Sequence, residues 1–88
     1  MRQVSYNAQN ITLNYLGAYT QAHISGGQLL LCNTLTDRSV VLTGENKYLL
    51  QLLALLQDGA PDAALMEALA SVHAEKQFET LLQEGLVE

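Results

Sequence analysis

The side chains best suited to metal binding or nucleophilic attack are two histidines, His23 and His73, and one cysteine, Cys32. Folding can bring two histidines and a cysteine together around zinc, but their spacing along the chain matches no zinc motif. A histidine in a strand or at the start of a helix is more often structural, and Cys32 in an apolar strand is typical of a small buried hydrophobic residue. We therefore predict neither a metal site nor a nucleophile.

Phosphate binding and acid–base catalysis also lack their usual sequence patterns. A phosphate-binding loop places its glycines between a strand and the following helix, whereas Gly26–Gly27 precedes a predicted strand. The carboxylates fall on the polar faces of predicted helices, where a solvated surface is the simpler interpretation. We predict no catalytic residue and no cofactor, which favours a non-catalytic accessory binding domain over an enzyme.

Length and charge narrow the class of protein further. Eighty-eight residues with 49% hydrophobic content suit one small domain with a modest core. Four Lys and Arg against nine Asp and Glu give a net charge of −5, which disfavours nucleic acid and anionic membranes as partners. The single cysteine fits a reducing compartment, and the sequence has neither a secretion signal nor a membrane span. We predict a cytoplasmic protein.

The elements that must position any site change type along the chain. Strand formers dominate before residue 44 and helix formers after it, which predicts an α+β domain. The predicted strands are Tyr19–Ile24, Gln28–Cys32 and Ser39–Thr43, of which the last two form a β-hairpin. Alternating residues in Ile11–Leu16 indicate an additional strand that can pair with Tyr19–Ile24.

Three helices are predicted to follow the three-stranded antiparallel sheet. Thr43 can cap the first helix, Glu45 lies in its first turn, and Gly59 ends it. Its apolar side chains cover more than half of its circumference, so we expect it to be the central core helix. These side chains are Tyr48, Leu49, Leu52, Leu53, Leu55 and Leu56.

The second and third helices are shorter. Pro61 fits the first turn of the second helix, and Ser71 is a plausible cap for the third. Gly85 ends the third helix, and Leu86 is expected to fold back onto the core. The predicted core positions of the second helix are Leu65, Met66 and Leu69. Those of the third are Ala74, Phe78, Leu81 and Leu82.

The last two helices have the outline of a DNA-binding helix-turn-helix, but the charge is wrong for that role. The third helix offers Lys76, with His73 near its start, against Glu75, Glu79 and Glu84. Neutralising phosphates supplies most non-specific affinity for DNA, and this surface cannot neutralise several of them. We predict that the domain does not bind DNA.

One known family shares this arrangement of elements. The segment "GGQLLLCNTLTDRSVVLTGENKYLLQLLALLQDGAPDAALMEALA", followed by "LLQEGLVE", contains a strand hairpin and an apolar helix ending in Asp58-Gly59. A short second helix follows, and the third closes in a Gly-Leu step within residues 82–86. On these features the chain, over roughly residues 20–88, resembles the PqqD-like family, the RiPP recognition elements. We assign residues 19–88 to that winged helix-turn-helix-like domain and residues 1–18 to an extension with room for an additional strand.

The resemblance implies a function. Such domains bind the leader region of a ribosomally synthesised precursor peptide by β-strand addition and deliver it to a peptide-modifying enzyme. Candidate enzyme partners are a radical-SAM enzyme, a cyclodehydratase or a leader peptidase. Here the edge strand would be Arg38–Thr43, and a wall formed by the third helix would run from about His73 to Gln83. The implied peptide-binding residues are Arg38, Ser39, Val40, Val41, Leu42, Thr43, His73, Lys76, Gln77, Thr80 and Gln83.

Physical chemistry agrees with this use of the strand and leaves alternatives open. Soluble proteins usually protect a sheet edge with charge, proline or a bulge, and "VVL" (Val40 to Leu42) has none of these. A peptide strand would pair the free backbone groups, and Arg38 or Lys76 could pair with an acidic leader residue. Alternatively, the domain's own helices or a second protomer bury this strand, as in a winged-helix interaction or homodimerisation module of a regulatory protein.

Overall fold

The computed structural model describes residues 3–4 and 12–88. Among these residues, five short strands come first, and three helices and a 3₁₀ turn follow, with one further short strand between the first two helices. They are β1 (Gln3–Val4), β2 (Thr12–Asn14), β3 (Thr20–Ser25), β4 (Gln28–Asn33), β5 (Arg38–Thr43), α1 (Asn46–Asp58), β6 (Ala60–Pro61), α2 (Asp62–Ala70), a 3₁₀ turn (Glu75–Gln77) and α3 (Phe78–Gln83). The α+β class, the main sheet and the three helices are as predicted.

The main sheet is antiparallel and has the order β3-β4-β5. Gly26 and Gly27 form a two-residue turn between β3 and β4, and their φ angles of 58° and 76° match the hairpin turn that favours glycine at both positions. Ser25 pairs with Gln28 beside this turn, and Arg38 pairs with Asn33 at the start of β5. The predicted hairpin spanning residues 28–43 is confirmed.

The predicted pairing of Ile11–Leu16 with Tyr19–Ile24 is wrong. Ile11 lies outside the described residues, and β2 pairs with β1 and β6 in a second small sheet. Asn14 holds β2 there because its fully buried side chain donates hydrogen bonds to the Ala60 carbonyl at 2.9 Å and to Asp62 Oδ1 at 2.7 Å. These partners are more than forty residues away, so local alternation could not reveal them.

Helix α1 forms the centre of the core, as predicted, but begins later. Thr43 is the last residue of β5 and does not cap the helix; Glu45 occupies the N-cap position without a side-chain bond. Leu49, Leu52 and Leu56 are buried against the inner face of β3 and β4 and against α2. At Gly59 a φ of 92° ends the helix, as the glycine predicted. In the described part of the chain, no helix is long and apolar enough to span a bilayer.

The predicted boundaries around α2 and α3 need correction. Pro61 lies just before α2 rather than inside its first turn, and the Ser71 hydroxyl donates to the Glu67 carbonyl at the end of α2 instead of capping α3. His73 has a φ of 55°, the left-handed position that usually carries glycine after a helix. Because no glycine marks this break, the sequence predicted a third helix that was too long. The predicted core residues Ala74 and Leu81 are buried, with Phe78 and Leu82 packed beside them.

The C-terminal tail is paired with residues 15–17. Leu86 and Val87 are buried, and Tyr15 and Glu88 exchange backbone hydrogen bonds of 2.6 and 2.7 Å. Gly17 donates its N–H to the Leu86 carbonyl at 2.9 Å. The predicted return of Leu86 to the core is confirmed, and the tail ties the end of α3 to the start of the main sheet.

A substitution at Gly17 tests how closely residues 15–17 and the C-terminal tail approach each other. A Cβ at this position would overlap the carbonyl oxygen of Gly85 and would lie 2.6 Å from Thr20 Oγ1. Because the first of these atoms belongs to the backbone, we expect Gly17→Ala to lower the free energy of unfolding by about 1–3 kcal/mol. Urea denaturation measures this change.

Gly26→Ala is the matched control for the loss of a glycine. At Gly26 nothing lies within 4 Å of an added Cβ, so the φ of 58° is the main source of strain. We expect it to cost about 1 kcal/mol. A smaller loss for Gly17→Ala than for the control would contradict the close crossing.

Candidate functional site

The main sheet has two edge strands, β3 and β5, and the predicted site lies along the open edge of β5. Within residues 3–4 and 12–88, β5 pairs with β4 and no strand pairs with its other side. Backbone groups along such a strand point alternately toward and away from the partner. Gly44, directly after β5, donates its N–H to the carbonyl of Gly27, directly before β4, at 2.9 Å. This pair continues the register of the β4–β5 pairs and so sets the alternation. The N–H and C=O groups of Ser39, Val41 and Thr43 therefore point away from the sheet.

The two faces of β5 have different surroundings. On the inner face, Leu42 is buried and Val40 is half-buried, and both pack against the hydrophobic core. The other predicted edge residues are exposed: Arg38, Ser39, Val41 and Thr43. The domain's own helices thus cover only the inner side of the apolar "VVL" run.

The segment from the end of α2 to the end of α3 meets β5 at both ends. At one end, Gly44 lies against Val72, since a Cβ on the glycine would be 2.6 Å from Val72 Cγ1. At the other end, Arg38 Nε is 3.7 Å from Glu84 Oε2, and the Asn33 amide on β4 donates to the Glu84 carbonyl at 3.0 Å. Residues 72–84 are therefore anchored near both ends of β5, and we call them the wall.

The wall is less helical than predicted. His73 lies in the left-handed turn after α2, and Lys76 and Gln77 lie in the 3₁₀ turn, so these three residues are outside α3. All three are exposed. Thr80 and Gln83 are on α3, where Thr80 is half-buried and Gln83 is exposed. The predicted wall residues thus belong to a segment anchored near both ends of β5, and this segment is a turn followed by a short helix.

The two predicted cations, Arg38 and Lys76, differ in their ion pairing. Arg38 forms an ion pair with Glu84 of the wall, and both side chains are partly exposed. Such exposed pairs contribute about 0.2–1 kcal/mol to stability. A ligand carboxylate at Arg38 would therefore compete with Glu84 at little cost. Lys76 is exposed and has no ion pair within the described residues.

The outer face of the main sheet carries an exposed apolar row that sequence reasoning missed. His23, Leu30 and Val41 are aligned across the three strands, and the exposed fractions of Leu30 and Val41 are 39% and 52%. With Ser25 and Gln28 they line a shallow depression of about 180 Å³. The run of three leucines in β4 hid this face, because a continuous apolar run does not show which residue points outward.

Cys32 and the histidines are not grouped for chemistry. Cys32 is half-buried on the outer face, rather than buried as predicted, because its strand neighbours Leu31 and Asn33 take the inner positions. His23 is on the same outer face, whereas His73 is on the wall. Among residues 3–4 and 12–88, no three His, Cys, Asp or Glu side chains come close enough together to hold a metal ion.

The contact between Gly44 and Val72 provides a test of the wall's position. We expect Gly44→Ala to lower the free energy of unfolding by about 1–3 kcal/mol, because the added methyl meets Val72. Val72→Ala removes Cγ1, the atom nearest to the added methyl group. The double variant should therefore lose less stability than the sum of the two single variants. Urea denaturation of the four proteins measures this coupling, and strictly additive losses would contradict the contact.

No protein-family model, no curated protein and no solved structure matches this chain. The open edge of β5, the wall beside it and the apolar row on the outer face are therefore the features on which a function can be based.

Proposed function

We propose that this chain binds the leader region of a ribosomally synthesised precursor peptide by adding it as a strand to β5. The observation that carries the proposal is the outward direction of the backbone groups of Ser39, Val41 and Thr43. Within β5, the run Val40 to Leu42 has no proline, bulge or charge, whereas natural sheets usually protect their edges with such features. The adjacent wall gives a bound strand a second surface to contact.

The backbone ladder and the side chains have different tasks in this binding. Each of the three outward residues offers a donor and an acceptor, and each hydrogen bond contributes about 0.5–1.5 kcal/mol net. Every peptide in extended form can make these bonds, so the ladder gives affinity without selection. Selection comes from side chains on either face of the added strand, where alternate residues meet different surfaces.

The domain would act by delivery rather than by chemistry. Holding the leader raises the effective concentration of the attached core peptide at a modifying enzyme, such as a radical-SAM enzyme, a cyclodehydratase or a leader peptidase. The enzyme needs a surface separate from β5. Glu67, Glu75 and Glu79 are exposed and offer an acidic surface for this contact. We propose a cytoplasmic setting, consistent with a single, unpaired cysteine.

Homodimerisation is the second candidate, and exposed Val41 favours it. A two-fold axis at Val41 would pair β5 with its copy and place Ser39 opposite Thr43 of the second protomer. The same backbone groups would then be satisfied without a peptide. Sedimentation of the chain over a range of concentrations separates the two functions, because a dimer formed in this way occupies the leader-binding edge.

The direct test is a titration of the ¹⁵N-labelled chain with the leader half of a short precursor peptide encoded beside it. We expect amide shifts concentrated at residues 39–43 and along residues 73–83. Binding with shifts elsewhere would retain a peptide-binding protein but reject this edge. The absence of binding at high micromolar leader would reject the proposal in favour of a dimerising or scaffolding module.

A pair of proline variants tests the direction of the backbone groups. Ser39→Pro removes an outward N–H and leaves the β4 ladder intact, so stability should change by no more than about 1 kcal/mol. Its ring also obstructs the incoming strand, and we expect leader affinity to fall about tenfold or more. Isothermal titration calorimetry measures this loss.

Val40→Pro is the matched comparison on the same strand. The Val40 N–H points toward β4, so proline there breaks the sheet ladder and should destabilise the fold by about 3 kcal/mol or more. Equal destabilisation by both prolines would show that the assigned alternation is incorrect.

A further inference from the structure

We infer that the bound peptide carries three consecutive apolar residues flanked by polar ones, and that the middle side chain lies on the outer face of the sheet against Val41, at the edge of the depression that Val41 and Leu30 line. The inference rests on the proposed function and deepens it, since it states which class of peptide the β5 edge selects. It differs from the alternating apolar and polar pattern of an ordinary half-buried strand.

The position of the middle residue follows from sheet geometry. Residues directly opposite each other in neighbouring strands point their side chains to the same face. The peptide residue opposite Val41 therefore continues the outer-face row formed by His23, Leu30 and Val41. That residue would reach the edge of the depression of about 180 Å³ that this row lines.

The neighbouring rows on the outer face are mostly polar, with Cys32 as the exception. One contains Gln21, Cys32 and Ser39, and the other contains Ser25, Gln28 and Thr43. A peptide strand that continues all three rows meets polar, apolar and polar neighbours in turn. An apolar peptide side chain opposite Val41 favours binding, because it is buried against an apolar neighbour. Two residues away on either side, an apolar side chain meets polar neighbours and does not favour binding.

The inner face requires two further apolar residues. The peptide residues on either side of the middle one lie opposite Val40 and Leu42 and share their inward direction. Leu42 belongs to the hydrophobic cluster that forms the core, and Val40 and Phe78 pack against that cluster. Inward-facing peptide side chains would extend that cluster between β5 and the wall. Together the two faces define the pattern polar-apolar-apolar-apolar-polar.

Charge selects a peptide over a second copy as the occupant. The strand Ser39–Thr43 itself has the inferred pattern, so a copy of β5 could satisfy the rows. Pairing two copies, however, brings together two edges whose walls carry Glu75, Glu79 and Glu84 against Lys76 and the Arg38 that pairs with Glu84, in a chain of net charge −5. A peptide with neutral or basic flanks avoids this repulsion.

The test is a selection from a display library of random twelve-residue peptides on the full chain, followed by affinity measurements on the enriched peptides. We expect enrichment of three consecutive apolar residues. Replacing the middle one by serine should weaken binding about tenfold in the wild type and much less in Val41→Thr. Leu30→Thr provides a second variant of the same row, and circular dichroism checks that both variants are folded.

Leu50→Gln is the matched control, because Leu50 is a similarly exposed apolar residue on α1, 56% exposed. It should leave the selection unchanged. Enriched peptides that require only alternating apolar residues, or that ignore Val41→Thr and Leu30→Thr, would overturn the inference and leave the proposed function standing. A lack of enrichment would overturn both the inference and the proposed function. A concentration-dependent dimer that Val41→Thr abolishes would then identify the second copy as the occupant of the edge.

Discussion

The pairing of residues 15–17 with the C-terminal tail is the constraint on which the rest of the structure depends. Leu86 and Val87 are buried beneath the sheet, and the backbone bonds between Tyr15 and Glu88 hold them there. The Thr20 hydroxyl, at the start of β3, lies 3.1 Å from the Leu86 carbonyl and strengthens the same junction. Because α3 ends where this tail begins, the tail fixes the wall beside β5. An open sheet edge becomes a recognition surface only if such a second surface is held next to it.

The hydrogen bond between Ala18 and Glu88 shows how closely the tail follows the first segment. The Ala18 N–H donates to Glu88 Oε1 at 3.1 Å, and this bond lowers the pKa of the Glu88 carboxyl. The residues before the main sheet thus contribute to the placement of the wall, although they contain none of the predicted binding residues. Describing residues 15–18 only as an extension of the domain would miss this role.

The two-residue period of a strand explains both what was predicted and what was missed at the β5 edge. Val40 and Leu42 face the core and Val41 faces outward, so one uninterrupted apolar run serves two surfaces. The sequence indicated an unprotected edge but not which backbone groups were free. Which backbone groups are free depends on the alternation of the β4–β5 hydrogen bonds. The hydrogen bond from the Gly44 N–H to the Gly27 carbonyl fixes this alternation. The row of His23, Leu30 and Val41 needed the pairing of all three strands.

By itself, the sequence determined the α+β class, the hairpin of β4 and β5, the central helix α1 and its end at Gly59, because these depend on local propensity, periodicity and glycine. The tertiary structure alone decided the pairing of β2, which depends on a buried Asn14 bonded to residues far along the chain. It also decided where the wall becomes helical, because His73 occupies a left-handed position without a glycine to signal it. Contacts distant in sequence leave no local pattern, and they are what bring the edge, the wall and the outer row together.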